Sequence, residues 1–355
     1  MLEKLGLAAL RRLDPERAHA LALKALAAGF AGHAPADDAP ALATTVFGRD
    51  FPNPIGVAAG FDKHCEALAA TLALGPGFTE IGGVTPAPQF GNPKPRLFRL
   101  AEDRAVINRF GFNSAGHAVV AERLCAARRA GVKGVVGVNL AINKETADPA
   151  DDYARGVAAF GTAADFLTIN VSSPNTAGLR ALQGEQALAG LLERATNALR
   201  DLELERPPAL LVKVAPDLDA ASVAVIADVA LSFQARGLAG LVVSNTTISR
   251  PENLRSPHAA ETGGLSGAPL FQLSTETLTR FARHLDGRMP LIGAGGVGSG
   301  AQAYAKIKAG ASLVQLYSAL VYAGPSLIGR IKRDLNALLA QDGIAHIEDA
   351  VGRDL

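Results

Sequence analysis

A (β/α)8 barrel is the fold class this sequence predicts, and three observations predict it. Eight short β-type runs recur from residue 50 onward: Ile55–Ala58, Phe78–Ile81, Val135–Val138, Phe166–Ile169, Leu210–Val214, Leu241–Val243, Pro290–Ile292 and Leu313–Leu316. They are near-continuously apolar rather than alternating, as parallel strands covered on both faces are. Helical stretches alternate with them, at about 62–74, 116–130, 185–202, 219–235, 271–284 and 299–310. A barrel of this kind takes about 250 residues, so the chain accommodates one with insertions. The runner-up, a doubly wound open sheet, places its glycine-rich loop after the first strand; here that loop follows the seventh.

The elements justify themselves in order. Residues 1–30 read as two helices: Leu2, Leu5, Ala9 and Leu13 share one face of the first, and His19, Leu23, Leu26 and Phe30 one face of the second. Between them Asp14 suits an N-cap, Pro15 the first helical position, and Glu16 the positive end of the helix dipole. Residues 31–41, AGHAPADDAPA, read as a linker. The expected division is therefore an N-terminal extension, 1–41, and a barrel domain, 42–355. Two insertions interrupt the barrel, at 84–113 and 245–270; both follow strand ends, where barrel enzymes carry lids and substrate loops.

Composition narrows the function. Of 355 residues, 48% are hydrophobic and 19% charged, which supplies a sizeable core and excludes disorder as the main state. Lys+Arg number 35 against 34 Asp+Glu, so the basic excess of a general nucleic-acid grip is missing and nucleic acid is not an expected partner. The two cysteines, Cys65 and Cys125, cannot form a disulfide framework, which favours a reducing compartment; both fall in helical stretches and read as packing rather than nucleophiles. The most apolar segment, Ala18 to Ala31, is short and interrupted by His19 and Lys24, so no membrane span is expected. Acidic Glu3, with Arg11, Arg12, Asp14 and Glu16, argues against a signal peptide, and the protein is expected in the cytoplasm.

In a barrel, chemistry collects at the C-terminal strand ends. Here those ends read Ala59-Gly60, Gly82-Gly83, Asn139, Asn170, Lys213, Ser244-Asn245, Gly295-Gly296 and Tyr317-Ser318. Carboxylates are sparse, with Asp62 and Asp217 just beyond strand ends, which disfavours a glycosidase. None of the seven histidines forms an H-x-H or H-E-x-x-H pattern, so no metal site is expected. Asn108, Asn113, Asn139, Asn170, Asn175 and Asn245 offer paired donors and acceptors, suited to a planar ring with alternating N–H and C=O such as a pyrimidine or a flavin; turns are the ordinary use of asparagine. Gly293-Ala-Gly-Gly-Val-Gly298 matches G-x-G-x-x-G, yet the next strand ends without the acid a dinucleotide needs. A phosphate after the seventh strand fits better, from a mononucleotide cofactor or a phosphorylated substrate. Lys213 lies inside an apolar run and calls for an anion or an electron-rich ring edge; a solvated strand end or a Schiff-base lysine are its other readings. Ser173, in Ser172-Ser-Pro-Asn175, relays a proton only if a loop holds it against substrate; a Ser-Pro turn is the plain alternative.

Six motifs, in order and spacing, carry a resemblance. Ile55-Gly-Val-Ala-Ala-Gly-Phe-Asp-Lys63, Asn108-Arg-Phe-Gly-Phe-Asn113, Ile169-Asn-Val-Ser-Ser-Pro-Asn-Thr176, Ser244-Asn-Thr-Thr247, Gly263-Gly-Leu-Ser-Gly267 and Gly293-Ala-Gly-Gly296 together resemble the dihydroorotate dehydrogenase family, and most closely its class 2, quinone-dependent and membrane-associated. The resemblance spans residue 1 to about 335.

It implies an FMN enzyme of pyrimidine biosynthesis that oxidises (S)-dihydroorotate to orotate and passes electrons to a quinone. The implied flavin contacts are the stretch Ala59-Gly60-Phe61-Asp62-Lys63, then Gly83, Asn139, Asn170, Lys213, Ser244, Gly267, Gly296, Tyr317 and Ser318. Gly83 and Ser244 stand where the family often has threonine. The implied substrate contacts are Lys63, the loop Asn108-Arg109-Phe110-Gly111-Phe112, Asn170, Asn175, Asn245 and Thr246. Ser173 matches the catalytic base, taking the C5 proton while hydride leaves C6 for flavin N5; class 1 carries cysteine there. Residues 1–30, with five Lys/Arg (Lys4, Arg11, Arg12, Arg17, Lys24) against Glu3, Asp14 and Glu16, suit a peripheral position on the cytoplasmic side of the membrane. In the family this extension is the quinone entrance, and His19 and Arg99 match quinone-contacting positions. The rival readings are helices that merely cap the barrel, a soluble class 1-like enzyme, a Schiff-base aldolase using Lys213, and a peripheral membrane module with a vestigial flavin pocket.

Overall fold

The computed structural model describes residues 2–30 and 38–355, apart from the side chains of Leu2 and Lys4. Most of the expected linker, 31–37, lies outside the described residues.

The chain opens with α1 (Leu2–Arg12) and α2 (Pro15–Ala27). The Asp14 carboxylate accepts from the Arg17 N–H and Pro15 takes the first helical position, as its sequence context demands. Leu23 and Leu26 are buried against the barrel, whereas Leu5 is 61% exposed and Phe30, beyond the end of α2, is 85% exposed. The apolar face read along α1 is thus largely uncovered. A hairpin unforeseen in the sequence, β1 (Thr44–Val46) with β2 (Arg49–Phe51), plugs the bottom of the barrel. There Phe51 meets Phe78 edge to face at 5.5 Å, and Phe78 meets Phe166 at 5.9 Å.

All eight apolar runs form the closed parallel barrel: β3 (Ile55–Val57), β4 (Phe78–Val84), β7 (Val135–Leu140), β8 (Phe166–Asn170), β9 (Ala209–Val214), β10 (Leu238–Val243), β12 (Leu291–Ala294) and β13 (Leu313–Leu316), which pairs back onto β3. Between β4 and β7 comes β5 (Leu97–Leu100) with β6 (Ala105–Asn108), and after β10 comes β11 (Gly264–Gly267). These belong to the two insertions, which join as one antiparallel sheet, with Gly264 opposite Asn108. The helices around the strands are α3 (Leu68–Leu72), α4 (His117–Arg129), α5 (Pro149–Phe160), α6 (Glu185–Arg200), α7 (Ala220–Ser232), α8 (Phe271–Leu285), α9 (Gly300–Lys308), α10 (Ser318–Ala323) and α11 (Leu327–Gln341).

The stretch 62–74 departs from expectation, since only Leu68–Leu72 is helical. The Asp62 carboxylate accepts from the N–H groups of Glu66 and Ala67, both at 2.8 Å, and Cys65 adopts a φ of +56°. Those bonds fold 62–67 into a turn, so Cys65 is not helical, while Cys125 lies in α4. No described helix is long and apolar enough to cross a membrane.

Candidate active site

One cavity of about 1250 Å³ runs from the barrel's C-terminal mouth to the helices α1 and α2. Its walls gather most of the residues singled out above: Ala59, Gly60, Phe61, Lys63, Gly83, Asn108, Phe110, Gly111, Phe112, Asn139, Asn170, Ser173, Asn175, Lys213, Ser244, Asn245, Thr246, Gly267, Gly296, Tyr317 and Ser318, with His19 and Arg99 at the helical end. Two do not line it. Asp62 spends its carboxylate on the turn just described. Arg109 faces the outer loop, pairing with Glu261 at 2.7 Å and stacking over Phe98.

Inside the barrel the amides form a ladder. Fully buried Glu80, on β4, accepts from Asn139 Nδ2 at 2.9 Å and from Gln315 Nε2 at 2.7 Å. A carboxylate only accepts, so the Asn139 oxygen must face the other way, where it takes Asn170 Nδ2 at 2.8 Å. The Asn170 oxygen in turn accepts from Ser172 Oγ and from Asn245 Nδ2. Residues of five strands or the loops just after them are tied by this one ladder, which fixes where each amide presents a donor or an acceptor. Arg180 pins the loops after β8 and β10, donating to the carbonyls of Ser172 and Thr246 and to Asp217.

Lys63 and Ser173 face the mouth. Lys63 Nζ donates to Asn113 Oδ1 at 2.5 Å and sits 3.4 Å above the Phe110 ring. Burial, with a smaller push from Arg96, brings its ammonium down to about 7. Ser173 is buried; its Oγ accepts from the Asn175 N–H at 3.3 Å, and its own proton has no described acceptor. Asn175 Nδ2 reaches Asn108 Oδ1 at 3.2 Å, so the serine loop and the Asn108 loop are held together.

The residues fit a phosphorylated planar cofactor. After β12, Gly295 and Gly296 have φ of +107° and +77°, and a Cβ on Gly296 would come within 2.4 Å of Phe271. Among the described residues, the N–H groups of Gly295, Gly296 and Ser318 have no acceptor. Unpaired donors on a glycine turn, beside the N-terminus of α9, are the donor set a phosphate needs. Lys213 is buried at the end of β9, and no described group hydrogen-bonds its ammonium; burial lowers its pKa, against a smaller opposing pull from Glu80. A polar ring edge against Lys213 would supply the missing partner.

The other end of the cavity has an apolar wall of Leu7, Leu10, Ala18, Ala22 and Leu26, with the charged side chains of Glu3, Arg11, Arg330 and Arg333 also lining the cavity. His19 Nε2 is 2.8 Å from the Phe61 carbonyl, and Arg99 donates to the carbonyls of Leu10 and Leu13. Sequence reasoning missed Glu80, Gln315, Ser172 and Arg180. The signal for Glu80 was present, a lone charge in a strand otherwise without one.

With this geometry in place, comparison with known proteins is direct. The family model described as "Dihydroorotate dehydrogenase" matches residues 41–339. The dihydroorotate dehydrogenase (quinone) of Rhodospirillum rubrum is 56% identical over 342 residues, covering 96% of this chain and 92% of the relative. The mitochondrial dihydroorotate dehydrogenase (quinone) of Mus musculus is 49% identical, covering 97% of this chain and 88% of its own. Among solved structures, DHODH from Eimeria tenella in complex with ferulenol aligns with a TM-score of 0.93 at 43% identity, over 96% of both chains.

Proposed function

The chain belongs to the dihydroorotate dehydrogenase family, in its quinone-dependent class, and from that premise we propose that it oxidises (S)-dihydroorotate to orotate with one FMN per chain and delivers the electrons to a membrane quinone, in de novo pyrimidine synthesis. One observation carries this reading. A cationic Lys63, a proton-bearing Ser173, a ladder of oriented amides and a buried Lys213 all converge on a single cavity that continues to an apolar end.

Each residue has a chemical part. Lys63 pairs with the carboxylate of the pyrimidine acid, and Asn108, Asn175, Asn245 and Thr246 meet its ring amides. Phe110, Gly111 and Phe112 wall the ring in. Arg109 acts from behind, tying the Asn108 loop to Glu261. Ser173 is the base for the C5 proton; its hydroxyl ionises far above pH 7, so it accepts that proton as it passes its own to a water molecule in the cavity. Ala59, Gly60, Gly83, Asn139, Asn170, Ser244 and Gly267 hold the FMN ring system, and the turn at Gly295 and Gly296 with Tyr317 and Ser318 holds its phosphate end. Lys213 favours negative charge on the ring edge it faces. FMN, when bound, supplies the two-electron acceptor, and the protein supplies orientation and electrostatics.

The extension 1–41 serves the quinone and the bilayer, and 42–355 serves the catalysis. Exposed Leu5, Leu13, Leu21 and Phe30, with Arg11, Arg12 and Arg17 nearby in sequence, support a peripheral helix pair lying on the cytoplasmic side of the membrane, with His19 and Arg99 at the quinone entrance. The test is optical. Purified protein should be yellow, dihydroorotate should bleach it without oxygen, and a quinone should restore the colour. A colourless protein that cannot be loaded with FMN overturns the proposal.

A further inference from the structure

Lys306, on α9, is fully buried, yet no described carboxylate lies against it. Its stem runs under the end of β12, where a Cβ on Gly293 would come within 3.1 Å of Lys306 Cδ. Its ammonium donates to Ser274 Oγ at 2.9 Å and to Thr275 Oγ1 at 3.0 Å, both in the first turns of α8, and lies 5.3 Å from the Phe271 ring. Burial alone pushes the group down to about 7. A buried cation held only by hydroxyls is costly unless an anion shares its surroundings.

The hydroxyls link the ammonium to the glycine turn after β12. An ammonium only donates, so both hydroxyls must accept from it and turn their own protons elsewhere. Thr275 donates to the Phe271 carbonyl at 2.7 Å. Ser274 donates toward the carbonyls of Gly295, at 3.0 Å, and Phe271, at 3.1 Å. The bond to Gly295 holds the carbonyl side of the glycine turn toward α8. The N–H groups of Gly295 and Gly296 remain without a described acceptor, on residues that line the cavity. The same α8 turn supplies Phe271, against which Gly296 is packed.

We propose that Lys306 is the buried counter-charge of the FMN phosphate and, through Ser274, the positioning residue of the glycine turn that binds it. The inference rests on the reading that FMN occupies this cavity. Lys306 touches neither substrate nor the reacting ring; its part is to retain the cofactor.

The experiment measures FMN release from purified holoenzyme after dilution, read as recovery of free-flavin fluorescence. Lys306→Met keeps the bulk and removes the charge, and it should release FMN at least 10-fold faster than the parent. Ser274→Ala keeps the charge and breaks the relay; it should release about 3–10-fold faster, and it keeps the test open if the methionine variant does not fold. Lys306→Arg retains the charge and should stay within about threefold of the parent. Lys332→Met is the control: this buried lysine, on α11, pairs with Asp38 at 2.5 Å and hydrogen-bonds the Gly75 carbonyl ahead of β4 rather than the turn after β12, so its loss should lower the unfolding temperature without speeding release. Parent-like release from both Lys306→Met and Ser274→Ala overturns the inference, as does equal acceleration by Lys332→Met. A parent enzyme that holds no flavin instead overturns the functional reading beneath it.

Discussion

The two ends of the cavity are built on opposite principles. At the mouth, functional groups stand on strand ends or on loops pinned by buried charges, and the amides fix one another: Glu80 anchors Asn139, Asn139 anchors Asn170, and Asn170 anchors Asn245. At the other end two helices close over the opening, tied to the barrel by a handful of polar contacts. Glu16 pairs with Arg96 at 2.6 Å, Arg99 holds two carbonyls of the first helix and the turn after it, and Glu3 accepts from the Ser326 N–H. An apolar wall from Leu7 to Leu26 lines that end, and the outer faces of the helices are exposed. Chemistry that needs placement within a fraction of an ångström belongs on the stiff end. An entrance for a greasy, mobile molecule tolerates slack and needs little beyond an apolar wall. Substitutions at the mouth should therefore strike the dihydroorotate half of the reaction alone, and substitutions among the helices the quinone half alone.

The largest expected effect tests the stiff end. Ser173→Ala should slow anaerobic bleaching by dihydroorotate by about 10²–10⁴-fold, the usual worth of a positioned acid or base. FMN should stay bound and orotate affinity should change by less than about threefold. Stopped-flow absorbance measures the first quantity and orotate titration the second. Parent-like bleaching would remove Ser173 from the mechanism and with it the claim that the mouth is the reactive end.

Lys63 comes next. Lys63→Met should raise the orotate dissociation constant by roughly 10–100-fold, since a charged hydrogen bond contributes about 1.5–3 kcal/mol. The pH dependence has a definite sign. The Lys63 ammonium is held down to about 7 in the free site, so the cation that attracts orotate is present well below that pH and is lost as the pH rises through it. Orotate binding to the parent should weaken by up to tenfold per pH unit above about 7, and this slope should vanish in Lys63→Met. A flat profile in the parent would show that Lys63 does not titrate there and that the mouth binds by shape and neutral amides.

The same contrast explains what could be read from the letters. Barrel strands were legible because a strand covered on both faces must be apolar along its length, and all eight runs are barrel strands. Glycine turns and strand-end amides were legible because few residues suit those positions. Four features were not. The short hairpin β1–β2 lacks length, and its role depends on Phe51 reaching Phe78 across the barrel floor. The β5–β6–β11 sheet joins segments about 150 residues apart, and local pattern carries no such pairing. Arg109 follows Asn108 directly, yet adjacent residues in extended chain point to opposite sides, so one faces the cavity and the other Glu261. The Asp62 carboxylate likewise served a turn because its first available partners were the amides of Glu66 and Ala67.

The smallest expected effect tests the slack end, at His19. Its ring stands edge-on to Phe61, 5.8 Å between centroids, and 6.0 Å from Tyr317. Burial first, then the nearby Lys63 charge, lower its pKa to about 4, against a weaker pull from the Phe61 carbonyl. The imidazole is therefore neutral from pH 5 to 8 and donates its Nε2 proton to that carbonyl. Loss of one neutral hydrogen bond and an aromatic edge costs about 0.5–1.5 kcal/mol. His19→Leu should accordingly raise the KM for a short-chain quinone only about 2–10-fold and leave dihydroorotate bleaching untouched. Steady-state quinone reduction by the parent should show no inflection near pH 6.5. An inflection there that disappears in His19→Leu would mean a charged imidazole in the entrance, and a charge held in place needs the same built surroundings as the mouth.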